Sequence, residues 1–334
     1  MGAGAAGSLT GTAGLFRFWV FPDCTFLDIS SRQIEYYYPY GGTQSPIHGM
    51  LYRGLSDETY ELIPTAHRLN KKRKQLEIFK FHPVYSDGLP LPSGTERQVA
   101  SAELAGLKAF FAEANRQGCN LPHSYTLSNS LFKEYNNKYM ESMREWYTPD
   151  VVELAALAQH SGFPTRLLDW TYDINVALYF ATQGVIRKLC SGEKVGENYV
   201  VWCVDANRLG VFNDHSIEEL PVEFFVPNYA DNPNLRAQSG VLAYNRVCNM
   251  DEQFSIKPMD KVITDYYKAA GYPQENFFIK LVFPTEYAVS DFKYLRSIGY
   301  HAAKLFPGYD GVMRKLKEDD WIRYTEHRGM PYEV

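Results

Sequence analysis

No CxxC pair occurs in this sequence, and its five cysteines, Cys24, Cys119, Cys190, Cys203 and Cys248, are scattered and odd in number. That spacing argues against a disulfide framework and a structural zinc site, and a reducing compartment is the simplest setting. Long apolar runs are missing as well; stretches such as 277–284 are far too short to span a bilayer. Residues 1–14 are rich in Gly, Ala, Ser and Thr but have neither a basic start nor a continuous apolar core, so they do not resemble a secretory signal. Nor is there a net basic charge: 34 Lys and Arg against 39 Asp and Glu leave −5. A polyanion would therefore have to be met by a local patch. No GxGxxG, Walker loop, HExxH or GxSxG stands where it would carry meaning, which weakens dinucleotide-fold, NTPase, zincin and α/β-hydrolase readings. These absences lead us to expect a soluble, cytoplasmic protein without a metal or a membrane anchor.

What is present is a chain of 334 residues, 45% hydrophobic, enough for one large domain or two ordinary ones. Aromatic and β-branched segments broken by Pro and Gly, at 16–20, 33–40 and 49–52, read as short strands and turns, and residues 1–48 as an extension packed on the main domain. Leu104, Leu107, Phe110 and Phe111 recur at helical spacing, and a more polar helical stretch follows at 131–143, so 96–147 reads as a mostly helical insert. Thr148 and Pro149 open a further helix with Val151, Leu154, Ala155, Leu157 and Ala158 on one face, and Gly162 ends it as a left-handed cap. Asp173 opens another helix through Ile174, Val176, Ala177, Phe180 and Ala181. Strand-like runs at 199–204, 223–226, 240–244 and 277–284 and a helix near 291–299 complete an α+β pattern without repeats.

The loop 159–169 concentrates chemistry. His160, Thr165, Arg166 and Asp169 crowd donors, acceptors and titratable groups into a space that a plain connector does not need. Two bland readings stand beside that one: Arg166 and Asp169 pairing with each other, and His160 satisfying the last helical carbonyls. Tyr52-Arg53-Gly54 ends a strand, with Arg53 offering a planar fork for a phosphate or carboxylate and Gly54 allowing close backbone approach; strand-end arginines are also commonly structural. Trp170, Tyr172, Tyr179 and Phe180 flank the loop and could seat a planar ring or belong to the core. Tyr179 and Phe180 lie on different helix faces, so at most one reaches a pocket. The segment 236–240, with Arg236 and Gln238, reads as the opening of a strand or a turn before one, and the run 71–74 as a solvated loop or a polyanion contact.

Four segments in order, LYRGLSDETYELIPTAHR (51–68), LAALAQHSGFPTRLLDWTYDINVALYFA (154–181), NLRAQSGV (234–241) and LRSIGYHAAKLFPGYDGVMRKL (295–316), resemble the FRG-domain family, named for its aromatic-Arg-Gly motif. The likeness spans 51–316 and implies a domain at 49–318 followed by a C-terminal tail, 319–334. The layout of that family is similar to that of ADP-ribosyltransferases, which implies a split mixed β-sheet core with a helical insertion, and NAD as the substrate. By that resemblance Arg53, Gly54, Tyr52, Thr165, Tyr179 and Arg236 would bind NAD, and Asp169, Gln238, His160 and Arg166 would carry catalysis. The glutamate of arginine-modifying transferases has no counterpart at 236–240, and Glu252 is distant. A nucleobase amine in RNA or DNA, or water, is then favoured over protein arginine as the acceptor, in a bacterial toxin or anti-phage effector restrained by an antitoxin or chaperone partner. Two other functions fit the same residues: a His160/Asp169 hydrolase acting on a nucleotide, and a non-catalytic nucleotide sensor or docking module.

Overall fold

The computed structural model describes residues 27–28, 35–36, 50–68, 96–123, 128, 149–206, 209, 220–230, 232–246, 257–271 and 278–327. The expected segments at 16–20, 71–74 and 131–143, and Glu252, lie outside them. Leu27–Asp28 and Glu35–Tyr36 form a two-stranded antiparallel ribbon. The main sheet comprises β1 (Met50–Leu55), β2 (Leu168–Thr171), β3 (Asn198–Asp205), β4 (Val222–Phe225), β5 (Gly240–Asn245) and β6 (Phe278–Pro284) in the spatial order β4-β5-β2-β1-β3-β6. Among the described residues eight helices surround it: α1 (Glu96–Arg116), α2 (Pro149–His160), α3 (Ile174–Ser191), α4 (Pro233–Ala237), α5 (Met259–Ala269), α6 (Ala288–Ser297), α7 (Ala302–Leu305) and α8 (Tyr309–His327).

The α+β pattern holds, but every strand pairing is antiparallel, where a mixed sheet was expected. The reason lies in the crossover through α3. It joins β2 to β3, which run parallel to each other, yet β1 lies between them and pairs antiparallel with both. The parallel relation thus skips a strand and never becomes a ladder. The β1–β2 contact has a single register pair, Tyr52↔Thr171, whereas β1 and β3 pair along six positions. The sheet accordingly consists of two three-stranded halves, β4-β5-β2 and β1-β3-β6, meeting at one weak joint.

Continuous apolar sequence in β3 follows from cover on both faces. On one face Tyr52, Tyr199, Val201, Cys203 and Leu281 pack against Ala177, Ala181 and Val185 of α3. On the other, Leu51, Leu168, Trp170, Val200 and Val241 pack against Met259, Ile263 and Tyr267 of α5. α3 starts where the sequence predicts, with the Asp173 carboxylate accepting from Asn175 N–H at 2.9 Å. Its outer side, Val176, Tyr179 and Ile186, is covered by Phe292 and Leu295 of α6 and Leu305 of α7, with Trp321 and Ile322 of α8 packed alongside. α8 runs unbroken across residue 319, so the expected tail begins inside a packed helix.

Candidate functional site

The site begins with the way α2 ends. Gly162, at φ 97°, donates its N–H to Gln159 O at 2.9 Å, and Phe163 N–H donates to Ala158 O at 2.9 Å. These are the paired bonds of a Schellman ending, whose left-handed residue is glycine because a Cβ there is strained. The turn brings the buried Thr165 hydroxyl back to donate to the Gln159 side-chain carbonyl, and the same hydroxyl accepts from Leu167 N–H at 3.1 Å. With its carbonyl fixed, Gln159 directs its amide at Asp169 Oδ1, 2.6 Å away. Asp169 stands on β2 with its side chain 53% exposed. Its Oδ2 lies 3.6 Å from Arg53 Nη1, which also donates to the Asp169 backbone carbonyl. Thr165, Gln159, Asp169 and Arg53 thus form one chain of polar contacts across the β1–β2 joint.

Arg53 is strained electrostatically. Its side chain is 13% exposed and its Nε is buried with no hydrogen-bond partner among the described residues. Burial pushes the guanidinium below its ordinary value, Asp169 opposes that push, and the like charge of Arg68 adds to it. Arg68 is itself lowered by burial and held up by Asp169 and Tyr60. Sequence reasoning missed Arg68 because no spacing rule links positions 68 and 169. The link is tertiary: Ala66 N–H donates to Thr165 O at 3.0 Å, pinning the turn Thr65–His67 to the loop, and Arg68 Nε donates to Ile63 O at 2.9 Å. Trp202, the register partner of Arg53 on β3, and Trp170 on β2 also carry buried ring N–H groups without partners among the described residues.

Several expected site residues stand elsewhere. Arg166 turns away from Arg53 into a buried ion pair: its Nε is 2.8 Å from Glu103 Oε2 and its backbone N–H donates to Glu103 Oε1 at 2.6 Å, with side chains 1% and 0% exposed. It pairs with α1, not with Asp169, because the loop buries that flank. Glu103 was the missed partner, and its signal was a carboxylate one turn from Leu107 in the apolar stripe of α1. Gly54 faces a helix: a Cβ built there would sit 1.8 Å from Ala177 O, so its lack of a side chain serves the packing of β1 on α3. Tyr52 is buried on the same face. Tyr179 is fully buried, stacks on Phe292 and donates its hydroxyl to Glu318 of α8, so it belongs to the helical layer and lines no opening. Phe180 packs edge-on against Phe306, and Tyr172 is exposed.

The segment 236–240 is not a strand opening. Asn232 caps the short helix α4, its side chain accepting from Leu235 N–H at 3.2 Å, and the strand begins only at Gly240. Arg236 is exposed in the last turn of α4. Gln238 is near the site through its backbone, its carbonyl accepting from the Thr171 hydroxyl at 2.7 Å, but its amide donates to Leu305 O at 3.0 Å and is committed there. Ser239, at φ 47°, is the non-glycine residue in the left-handed region among the described residues. His160 closes α2 with Nε2 buried and unpartnered; burial lowers its pKa, Asp169 opposing, which keeps a neutral ring at pH 7.

Fold and site together define an α+β protein with a largely buried guanidinium set against a half-exposed carboxylate at the joint of a divided sheet. Residues 48–188 match the FRG domain family, and the chain carries an FRG domain there. The matched span holds Arg53, Arg68, Gln159, Thr165 and Asp169, whereas Arg236, Gln238 and the segment 295–316 lie beyond it. No curated protein and no solved structure compared with the chain gives a match.

Proposed function

We propose that the protein is an NAD-dependent ADP-ribosyltransferase, with an ADP-ribosyltransferase-like fold, and that the Arg53–Asp169 pair at the β1–β2 joint is its centre. The observation that carries this reading is that pair: a largely buried guanidinium with an unused donor, set against a carboxylate that is open to solvent and held by Gln159. In the reaction, the bond between ribose C1′ and nicotinamide breaks, positive charge builds on the ribose, and an acceptor atom bonds C1′ as its proton departs. Arg53 would hold the diphosphate and Asp169 would face the growing ribose charge, each in a preorganised position. The likeness to transferases is supported by the two sheet halves meeting where the arginine stands. With Gln238 committed to Leu305 and no glutamate in the segment 236–240, a nucleobase amine in RNA or DNA fits better than a protein arginine. A toxin or anti-phage effector with a restraining partner is the setting that accords with such chemistry. The hydrolase reading has less support, since the interaction of His160 with Asp169 is electrostatic and opposed by burial.

Incubating the purified chain with NAD tests the proposal. Nicotinamide release is expected, falling by about 100-fold or more in Arg53→Ala, the order of loss seen on removing one stabilising donor. Unchanged release in Arg53→Ala would sink the proposal.

A further inference from the structure

α8 turns one side inward and leaves an apolar patch outside. Gly311 sits against α7, where a Cβ would lie 1.7 Å from Phe306 O, and Glu318, seven residues on, is buried where it accepts from the Tyr179 hydroxyl. On the opposite side of the helix, Tyr309, Val312, Met313 and Leu316 fall at i, i+3, i+4 and i+7, the spacing of a single face. Tyr309 is 92% exposed and the other three are about half exposed. These four are half of the exposed large apolar side chains among the described residues, gathered into about two turns. Single exposed apolar residues are ordinary, whereas a contiguous group marks a contact surface.

The spacing of the patch points to its occupant. Positions 309 and 316, and likewise 312 and 313, are symmetric about the midpoint between Val312 and Met313. An antiparallel second copy of the helix therefore sets Tyr309 against Leu316 and Val312 against Met313, each twice, which is the self-complementarity that a two-fold interface requires. The charges at the flank agree. Asp310 and Lys317 are exposed, seven residues apart on one side of the patch. In the antiparallel pair, Asp310 of one copy stands two residues, about 3 Å along the axis, from Lys317 of the other. Asp310 accepts from Arg314 at 2.7 Å within its own helix and still keeps its side chain 72% exposed, open to a second cation. We propose that this face of α8 is a homodimer interface, in which two copies of the chain pair antiparallel through Tyr309, Val312, Met313 and Leu316, held in register by Asp310 and Lys317. It uses no residue of the Arg53–Asp169 site and stands or falls independently of the transferase reading. Two helical turns bury less than a permanent dimer does, below about 1,200 Å² in total, so the association is reversible, in about the micromolar range.

Analytical ultracentrifugation of the full chain from about 1 to about 100 μM tests the interface. Wild type should pass from monomer to dimer across that range. Leu316→Asp should weaken the dimer about 100-fold or more, because each interface would then bury two carboxylates without partners. Asp310→Lys and Lys317→Asp should each weaken self-association roughly tenfold by bringing like charges together at two symmetric places. An equimolar mixture of those two variants should associate about as tightly as wild type, since each mixed pair regains an Asp–Lys contact at both places. Damage to the fold cannot produce that recovery. A monomer at every concentration, a dimer indifferent to Leu316→Asp, or a mixture no tighter than its components overturns the inference, the first of these assigning the patch to a different occupant.

Discussion

Arg166 and Arg53 carry the same guanidinium, and their surroundings give them opposite roles. Arg166 faces Glu103 with both side chains out of solvent, so removing the carboxylate leaves a buried charge without its main counter-ion. Glu103→Leu should cost about 3–5 kcal/mol, read as a lower midpoint in chemical denaturation. An unchanged midpoint would mean that the pair is not closed as described. Arg53 faces a carboxylate in contact with water, so Arg53→Ala should cost little stability and lose ligand binding instead. The sequence made Arg53 and Asp169 conspicuous through the aromatic-Arg-Gly motif and the crowded loop. It could not show which partner Arg166 takes, because residue 103 lies 63 positions away and only tertiary packing brings the two together.

At the scale of elements, helices with strong local signals were legible: Pro149 at the opening of α2, the Gly162 ending and the Asp173 cap all lie at or next to the boundaries of α2 and α3, while Thr148 lies outside the described residues. β2 was not, because four residues, Leu-Asp-Trp-Thr, are too few to show a period and follow directly on the turn. It was read as loop, yet it is a central strand and places Asp169. α8 was missed in part because its charges ring the helix and leave no clean apolar stripe along its length; besides Trp321 and Ile322 it is held by the buried carboxylate of Glu318. Glu318 accepts from the Tyr179 hydroxyl and from Ala302 N–H at 3.2 Å, and burial nevertheless raises its pKa. A raised carboxyl pKa contributes stability below the unfolded value that is lost as pH rises through the folded one. The stability of wild type relative to Glu318→Gln should therefore fall as pH climbs through and above the usual glutamate range, measured by denaturation at several pH values. A difference that grows with pH would contradict the placement of that carboxylate. Gly54→Ala probes the β1–α3 contact, and overpacking against Ala177 O should cost about 3 kcal/mol.

Over the whole molecule, the sheet divides between β2 and β1, and the polar chain from Thr165 to Arg53 crosses that division. α3 spans the joint from one side, and its packing on Gly54 fixes β1, so the position of Arg53 depends on that helix. The fold class was legible because alternating and continuous apolar runs mark strands. The division was not, because register between β1 and β2, 116 residues apart at Arg53 and Asp169, is a property of the assembled sheet. Among the described residues no helix is long and apolar enough to cross a membrane. The central claim is that this joint transfers ADP-ribose, and its most direct test is mass spectrometry of protein, RNA and DNA after incubation of the chain with isotopically labelled NAD. The account predicts a labelled ADP-ribose adduct on nucleic acid that disappears with Arg53→Ala; intact NAD and unlabelled macromolecules would contradict it.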